Sequence, residues 1–467
     1  MEQQWPSCGR ELATIIAAID YDSLPPAVVS TVKRFTLDTF GVIAAAARAP
    51  GMEELLAALT EWESGGCATL LHNGRRVNPV SAALANAAAA HSLDFDDQHD
   101  PARVHVFCVI LPAVLAAAEA HGRVSGKTAL AALAVGVEVF CRLGLTCYNS
   151  LGKGWHPTTA LGCISAAAAA AKVFGLDAPQ TLNAMGLAYV QMSGTTQFIA
   201  DGVLAKRVGP GFAARSGVLA AQLARHGITG PHRFLEGNAG LFALHERGEV
   251  SPEILMADWG QRWHLLDLSM KPWPCCRCTH TTIQLALALR AEGIRPCDID
   301  GGVIELGRVN HQIVGAPFER LHPTPTVHAQ FNAAYAFAAA LTDGAVGIDS
   351  FAPEQVRRDA TAWASRLRCV VAADFAPTAV PPARIRLRLA DGAIRDIASL
   401  TMKGAPDDPL SEREVLEKFR ANLRYGWQTP AGRVGVLEKV LLSLEQQESM
   451  TLVISLFIAC QDAGGAR

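Results

Sequence analysis

A chain of 467 residues, half of them hydrophobic and 18% charged, can bury a large core without disulfides or metals. At about 150 residues per domain it has the length for roughly three. The formal net charge of −3 argues against nucleic acid as the main partner, which calls for a basic face. Twelve cysteines, scattered except for Cys275, Cys276 and Cys278, together with an N-terminus lacking a secretory apolar segment, fit reduced thiols in a cytoplasmic protein. No apolar run reaches the about 20 residues of a membrane span. The longest, residues 106–118, holds Pro112 and stops at Glu119.

From about Glu11 to Ala257 the pattern is helical, with short breaks marked by glycine and proline. Residues 111–120, 129–140 and 164–176 are apolar or small nearly all round, which predicts interior helices packed on several sides. Gly122, Gly175, Gly227 and Gly230 are placed as C-terminal stops. The character changes after Trp273. Residues 302–306 and 367–372 read as strands. Residues 384–389 alternate with period two, and Asp391-Gly392 turns the chain back toward Ile394 and Ile397. Residues 327–341 between these strands are helical, and Ser411 with Glu414 forms a capping box that opens a helical tail. The prediction is a mainly α chain. A large all-helical domain is formed by residues 1–267 and 404–467, and a smaller α+β domain, residues 268–403, is inserted in it. The Arg384, Arg386 and Arg388 stripe is either an anion-binding face or the solvated side of a half-buried strand, and the periodicity favours the second.

Four segments carry candidate chemistry. The first follows the alanine-rich run of residues 82–90 and holds His91, Asp94, Asp96, Asp97, Gln98, His99, Asp100 and His105. Clustered carboxylates and imidazoles beside an interior helix suit proton transfer, and a continued helix would set His91 and Asp94, and Asp94 and Asp97, on shared faces. A helix end with surface charges is the alternative. The second is Trp155-His156-Pro157-Thr158-Thr159, where Pro157 fits the first position of a helix and leaves His156 beside free N–H donors that attract anions. A satisfied core histidine fits this segment equally well.

The third segment sets Lys206 and Arg207 before a turn with Gly209 and Gly211, a place for a carboxylate or simply a solvated loop. The fourth, residues 270–280, offers Lys271, three cysteines and His280. Zinc sites use paired ligands with a second pair elsewhere, and none is found, so no metal is expected. A buried thiol cluster at the domain junction, with Lys271 pointing into the cleft, is the preferred reading.

Taken together these segments resemble the MmgE/PrpD family. The matching pieces are His91-x-x-Asp94-Phe-Asp96-Asp97, His105 ahead of Leu111-Pro112-Ala113, and His156-Pro157 before an alanine helix. Lys206, Gly211-x-Ala-Ala with Gly217, and Lys271-Pro-x-Pro-Cys-Cys follow, then Ala329-Gln330-Phe331 with Tyr335, and Lys403-Gly404. They span nearly the whole chain in order.

The resemblance implies a helical domain with an α+β lid, an active site in the cleft between them, no cofactor, and a homodimer. It implies Asp94, His105, His156, Lys206 and Lys271 as catalytic residues, with Gln98, Arg207 and Cys276 toward the substrate. The implied reaction is proton transfer at the carbon next to a carboxylate of a small polycarboxylate. Dehydration of a hydroxy-polycarboxylate is the first expectation. Decarboxylation, epimerisation or a non-catalytic carboxylate binder are the alternatives. Four positions depart from the family pattern: Gln98 stands where threonine is common, Gly209 where histidine is frequent, and Val106-Phe107 where the family has Pro-Ser. Cys276 stands where the decarboxylase branch has histidine.

Overall fold

Alanine costs a helix no side-chain entropy and lets a neighbouring axis come close, and both properties shape the first half of this chain. In the computed structural model, which describes residues 7–461, five long helices form its centre. They are Pro79–His91, Phe107–His121, Gly126–Thr146, Pro157–Val173 and Ala205–Arg225. The Ala205–Arg225 helix lies along both Pro157–Val173 and Pro79–His91. Glycine makes the approach possible: a Cβ at Gly211 would stand 2.5 Å from the Leu84 carbonyl. Asn78 starts the Pro79–His91 helix by accepting from the Ser81 N–H, with Pro79 at the first position. Gly122 and Gly227 close their helices at positive φ as expected, whereas Gly230 does not; it packs against the backbone of Asn183.

The 21-residue Gly126–Thr146 helix is long and apolar enough to cross a membrane by length and composition, which corrects the expectation that no segment would be. Here it is sandwiched between neighbours, which explains an apolar surface all round. Its two buried charges, Glu138 and Arg142, satisfy each other, while Lys127 lies exposed in its first turn. Arg142 Nε donates to Glu138 at 2.7 Å and its NH2 to the Arg262 carbonyl at 2.8 Å, while Glu138 accepts from the N–H groups of His264 and Leu265.

Buried residues from Cys275 to Met402 form a hydrophobic cluster of their own. Met270 on one side and Leu410 on the other belong to the larger cluster, which the helices Glu412–Trp427, Ala431–Leu442 and Met450–Ile458 rejoin. The smaller cluster is covered by a four-stranded sheet. In spatial order its strands are Leu367–Val371, Ile299–Leu306, Ala383–Leu389 and Ile394–Ser399; the first pair is parallel and the others antiparallel. Ile385 and Leu387 face inward, and each arginine of the alternating stripe meets a carboxylate: Arg384 with Glu305, Arg386 with Asp396, Arg388 with Asp300. The stripe is a paired outer face. The helical stretch expected over residues 327–341 is two helices, Pro325–Gln330 and Ala333–Asp343, because Asn332 leaves the first and caps the second by accepting from Tyr335 N–H at 2.8 Å. The chain is mainly α.

Candidate active site

The segment after the Pro79–His91 helix is a compact loop, so the expected sharing of helix faces by His91, Asp94 and Asp97 does not occur. Asp94 takes a left-handed conformation (φ 54°), which reverses the chain and separates its carboxylate from those that follow. Asp97 works for the fold. Its two oxygens accept from the N–H groups of Val106 and Phe107 at 3.0 and 2.9 Å, at the start of the Phe107–His121 helix. Burial and the neighbouring Asp96 push its carboxyl up to about 8. Asp100 ties the loop to the segment before Lys271 and, through Arg277, to the smaller cluster, accepting from Ser269 Oγ at 2.6 Å, Gln98 Nε2 at 3.1 Å and Arg277 Nε at 3.3 Å. The pairing of Gln98–His99 with Leu268–Ser269 carries the chain to Lys271 beside Asp94.

Asp94 is the centre of what remains. Lys206 Nζ lies 2.9 Å from one carboxylate oxygen, and Lys271 Nζ lies 2.6 Å from the other and 3.0 Å from the Asp94 carbonyl. All three are buried. Burial alone would raise the Asp94 carboxyl; the two ammonium groups instead hold it well below its ordinary value. Burial likewise works to lower Lys271, and the carboxylates of Asp94 and Asp96 outweigh it and raise it.

Lys206 Nζ also donates to His91 Nε2 at 3.0 Å, and His91 Nδ1 lies 2.8 Å from Asp96 Oδ2. An ammonium can only donate, so His91 is neutral with its proton on Nδ1, directed at Asp96. Burial lowers His91, and burial lowers His105 to about 3. His105 stacks edge-on against His91, and its Nδ1 donates to the Asp97 carbonyl at 2.8 Å. In the neutral ring that leaves the lone pair on Nε2, which has no hydrogen-bond partner among the described residues. His156 sits at the N-cap of the Pro157–Val173 helix with Nδ1 2.9 Å from Thr159 Oγ1, and burial, with Lys206 next, holds it well below its usual value.

The structure therefore brings Asp94, His105, His156, Lys206 and Lys271 into one cluster. Lys206 and Arg207 do not precede a turn: they lie in the first turn of the Ala205–Arg225 helix, which runs unbroken through Gly209, Pro210 and Gly211. Gly209 lies against Thr159, where a Cβ would come 2.6 Å from Oγ1, so a larger residue here would have to displace the hydroxyl that partners His156. Lys271 is fully buried on Asp94 and does not point into an open cleft. Of the three expected substrate contacts, Arg207 lines the recess, with one guanidinium nitrogen on the Pro50 carbonyl at 3.1 Å. Gln98 is turned away toward Asp100, and Cys276 is held by its N–H on the Gln330 carbonyl, off the recess wall. The partners that the sequence reading left without a role are Asp96, which orients His91, and Gln330 with Phe331. Gln330 donates to the Leu93 and Pro274 carbonyls, and Phe331 lies under the Lys206 ammonium at 5.1 Å.

His91, Asp96 and His105 present ligand atoms within 4.8 Å of one another. Lys206 on His91, Lys271 4.0 Å from Asp96, and the N–H of His105 committed to a carbonyl all oppose a divalent cation there. His280 in the cysteine segment has both ring nitrogens engaged, with Arg277 and with the Cys275 carbonyl.

The recess over Asp94 is lined by His91, Ser92, Val203, Lys206, Arg207, Val327, Gln330 and Phe331, and its free volume is about 10 Å³, room for a single water. A cleft of about 800 Å³ adjoins it, and Val327 and Phe331 belong to both walls.

A mainly α chain in which two lysines and three neutral imidazoles converge on one buried carboxylate belongs to the class of acid/base constellations beside an anion-attracting recess. Family comparison gives the class its members. The MmgE/PrpD N-terminal domain matches residues 10–253 and the MmgE/PrpD C-terminal domain matches residues 273–441, so this chain belongs to the MmgE/PrpD family. Among its relatives is the cis-aconitate decarboxylase-like protein oryM of Aspergillus oryzae, 29% identical over 96% of both chains. The human cis-aconitate decarboxylase is 31% identical over 82% of this chain and 80% of its own. That of Aspergillus terreus is 27% identical over 93% and 92%.

Proposed function

We propose that this chain is a cofactor-independent lyase that acts on a small polycarboxylate by moving a proton at the carbon next to a carboxylate. The observation that carries the reading is the Asp94 carboxylate held between Lys206 and Lys271 beside imidazoles kept neutral by burial. Fixed ammonium charge in a dry recess stabilises the enediolate that forms when an α-proton leaves. The unpartnered Nε2 of His105 is the base. An incoming polyanion raises His105 toward the operating pH, because negative charge favours the imidazolium. If the Thr159 hydroxyl donates to His156 Nδ1, its Nε2 carries a proton and faces the leaving group as the acid.

In dehydration, His105 takes the α-proton, the C–O bond breaks, and His156 protonates the departing hydroxyl. The names of the relatives favour a second reading, decarboxylation. There the C–C bond to one carboxylate breaks, carbon dioxide leaves, the electron pair passes into the enediolate, and an acid returns a proton to carbon. Proton and carbon NMR in D₂O decides, with carboxyl-labelled citrate, 2-methylcitrate, cis-aconitate, citramalate and iminodisuccinate. A new vinylic signal from a hydroxy acid supports dehydration, and labelled bicarbonate supports decarboxylation. Deuterium uptake without elimination would replace both with epimerisation, and silence across the panel would overturn the lyase reading.

A further inference from the structure

Three cysteines stand within four residues where the two hydrophobic clusters meet, and they are not alike. Cys275 is fully buried, its Sγ lies 3.1 Å from Thr279 Oγ1, and burial pushes its thiol up to about 12. Cys276 and Cys278 pair with each other. Cys276 stands at the N-cap position of the short turn Arg277–Thr279, with its N–H on the Gln330 carbonyl at 3.0 Å, and its thiol hydrogen-bonds the Cys278 sulfur. One helical residue, Arg277, separates the two, which sets their Cα atoms about 5.5 Å apart, the separation at which disulfides are commonest. The Arg103 guanidinium hydrogen-bonds the same Cys278 sulfur. Arg103 also lines the open cleft of about 800 Å³, so the pair lies one side chain behind that surface.

The hydrogen bond from Cys276, with the Arg103 charge, holds Cys278 below its ordinary value against burial and Asp100. The other eight buried cysteines among the described residues are all held above theirs. A guanidinium on the sulfur favours the thiolate and opposes a metal cation. We propose that Cys278 is a peroxide-reactive nucleophile and Cys276 its resolving thiol, a modification site apart from the proton-transfer cluster. The Cys278 thiolate attacks one oxygen of hydrogen peroxide, the O–O bond breaks, and the other oxygen leaves as hydroxide and takes a proton to become water. Cys278 is then a sulfenic acid. Cys276 Sγ attacks that sulfur, the S–S bond forms, and the sulfenic oxygen leaves with the Cys276 proton as a second water. Two electrons pass from the thiol pair to the peroxide. The step is independent of the lyase reading.

Trypsin cuts after Arg277 and not at the Lys271-Pro272 bond, so in the reduced protein Cys278 leaves on a different peptide from Cys275 and Cys276. The reduced full chain is treated with hydrogen peroxide, free thiols are blocked, and unreduced digests are read by mass spectrometry over time. The two peptides should become linked in wild type and in Cys275→Ser, at least about tenfold faster than the exposed Cys67 and Cys297 oxidise. In Cys276→Ser, checked for folding by circular dichroism, no link should form and Cys278 should pass on to the sulfinic acid. A link that persists in Cys276→Ser, or disappears in Cys275→Ser, gives the resolving role to Cys275 and overturns the pairing. Cys278 oxidising no faster than Cys67 and Cys297 overturns the proposal outright.

Discussion

A carboxylate buried between two ammonium groups does not take up a proton near neutral pH, and that fixes what Asp94 can do. With Lys206 and Lys271 holding it ionised, Asp94 is the counter-charge that keeps the lysines in place until a substrate carboxylate competes for them. Proton transfer then falls to the imidazoles. His105→Ala removes an imidazole lone pair that its partners place on Nε2 and that no described residue engages, and general-base losses run at about 10²–10⁴. We expect kcat to fall at least about 100-fold with the thermal midpoint little changed, because His105 is partly exposed and its one side-chain bond is to a carbonyl on the same loop. Near-normal turnover in a purified, folded variant would remove His105 from the mechanism. The sequence announced the importance of this segment, since titratable groups crowd the end of an alanine helix. It did not assign the roles of its acids. Asp94, Asp96, Asp97 and Asp100 are chemically alike, and a left-handed residue at Asp94 sends them to four different neighbours.

At the scale of elements, the C-terminal helix Glu412–Trp427 does more than close the helical core. Its Lys418 reaches the loop between Asp94 and Asp96, where Nζ donates to the Phe95 carbonyl at 3.0 Å and lies over the Phe95 ring at 4.0 Å. The same ammonium pairs with Asp38 of the Pro26–Ala45 helix at 2.8 Å, all of it buried. Lys418 is thus a positioning residue for the loop. Lys418→Met leaves Asp38 unpaired, a cost of about 3–5 kcal/mol. The double variant Lys418→Met with Asp38→Asn should recover most of that stability while kcat stays about tenfold or more below wild type, with KM less affected. Full recovery of kcat along with stability would make the pair purely structural. Nothing local in the sequence marks Lys418, because its partners lie 323 and 380 positions away. Helices, strands and the arginine stripe, by contrast, follow from periodicity within a dozen residues. The unbroken helix through Gly209 and Pro210 is where that local reading failed, since close packing against Thr159 overrides the turn preference of those residues.

For the whole molecule, the neutral histidines of the loop and its surroundings predict how stability responds to acid. His99 shows the sign most cleanly, because it stands outside the proton-transfer cluster and is nearly inaccessible. Burial lowers it to about 4, and Nδ1 accepts from the Ala102 N–H at 3.1 Å. An unfolded histidine titrates near about 6.5. Above that pH neither state is protonated and the folded form keeps its full stability. Between about 6.5 and 4 the unfolded chain binds a proton that the folded chain refuses, so stability falls as pH falls. At about 1.4 kcal/mol per pH unit, His99 alone should account for about 2 kcal/mol lost between pH 6.5 and pH 5. Asp97 acts in the opposite sense: raised to about 8, it withdraws stability as pH climbs toward that value. A comparison of wild type with His99→Asn cancels its contribution and that of the site histidines. Urea midpoints at pH 7 and pH 5 should show the acid loss shrinking by about 2 kcal/mol in the variant. Parallel losses in the two proteins would mean that His99 is protonated in the folded state. The pairing of Gln98–His99 with Leu268–Ser269, which sets Lys271 beside Asp94, would then have to tolerate a buried charge next to the site.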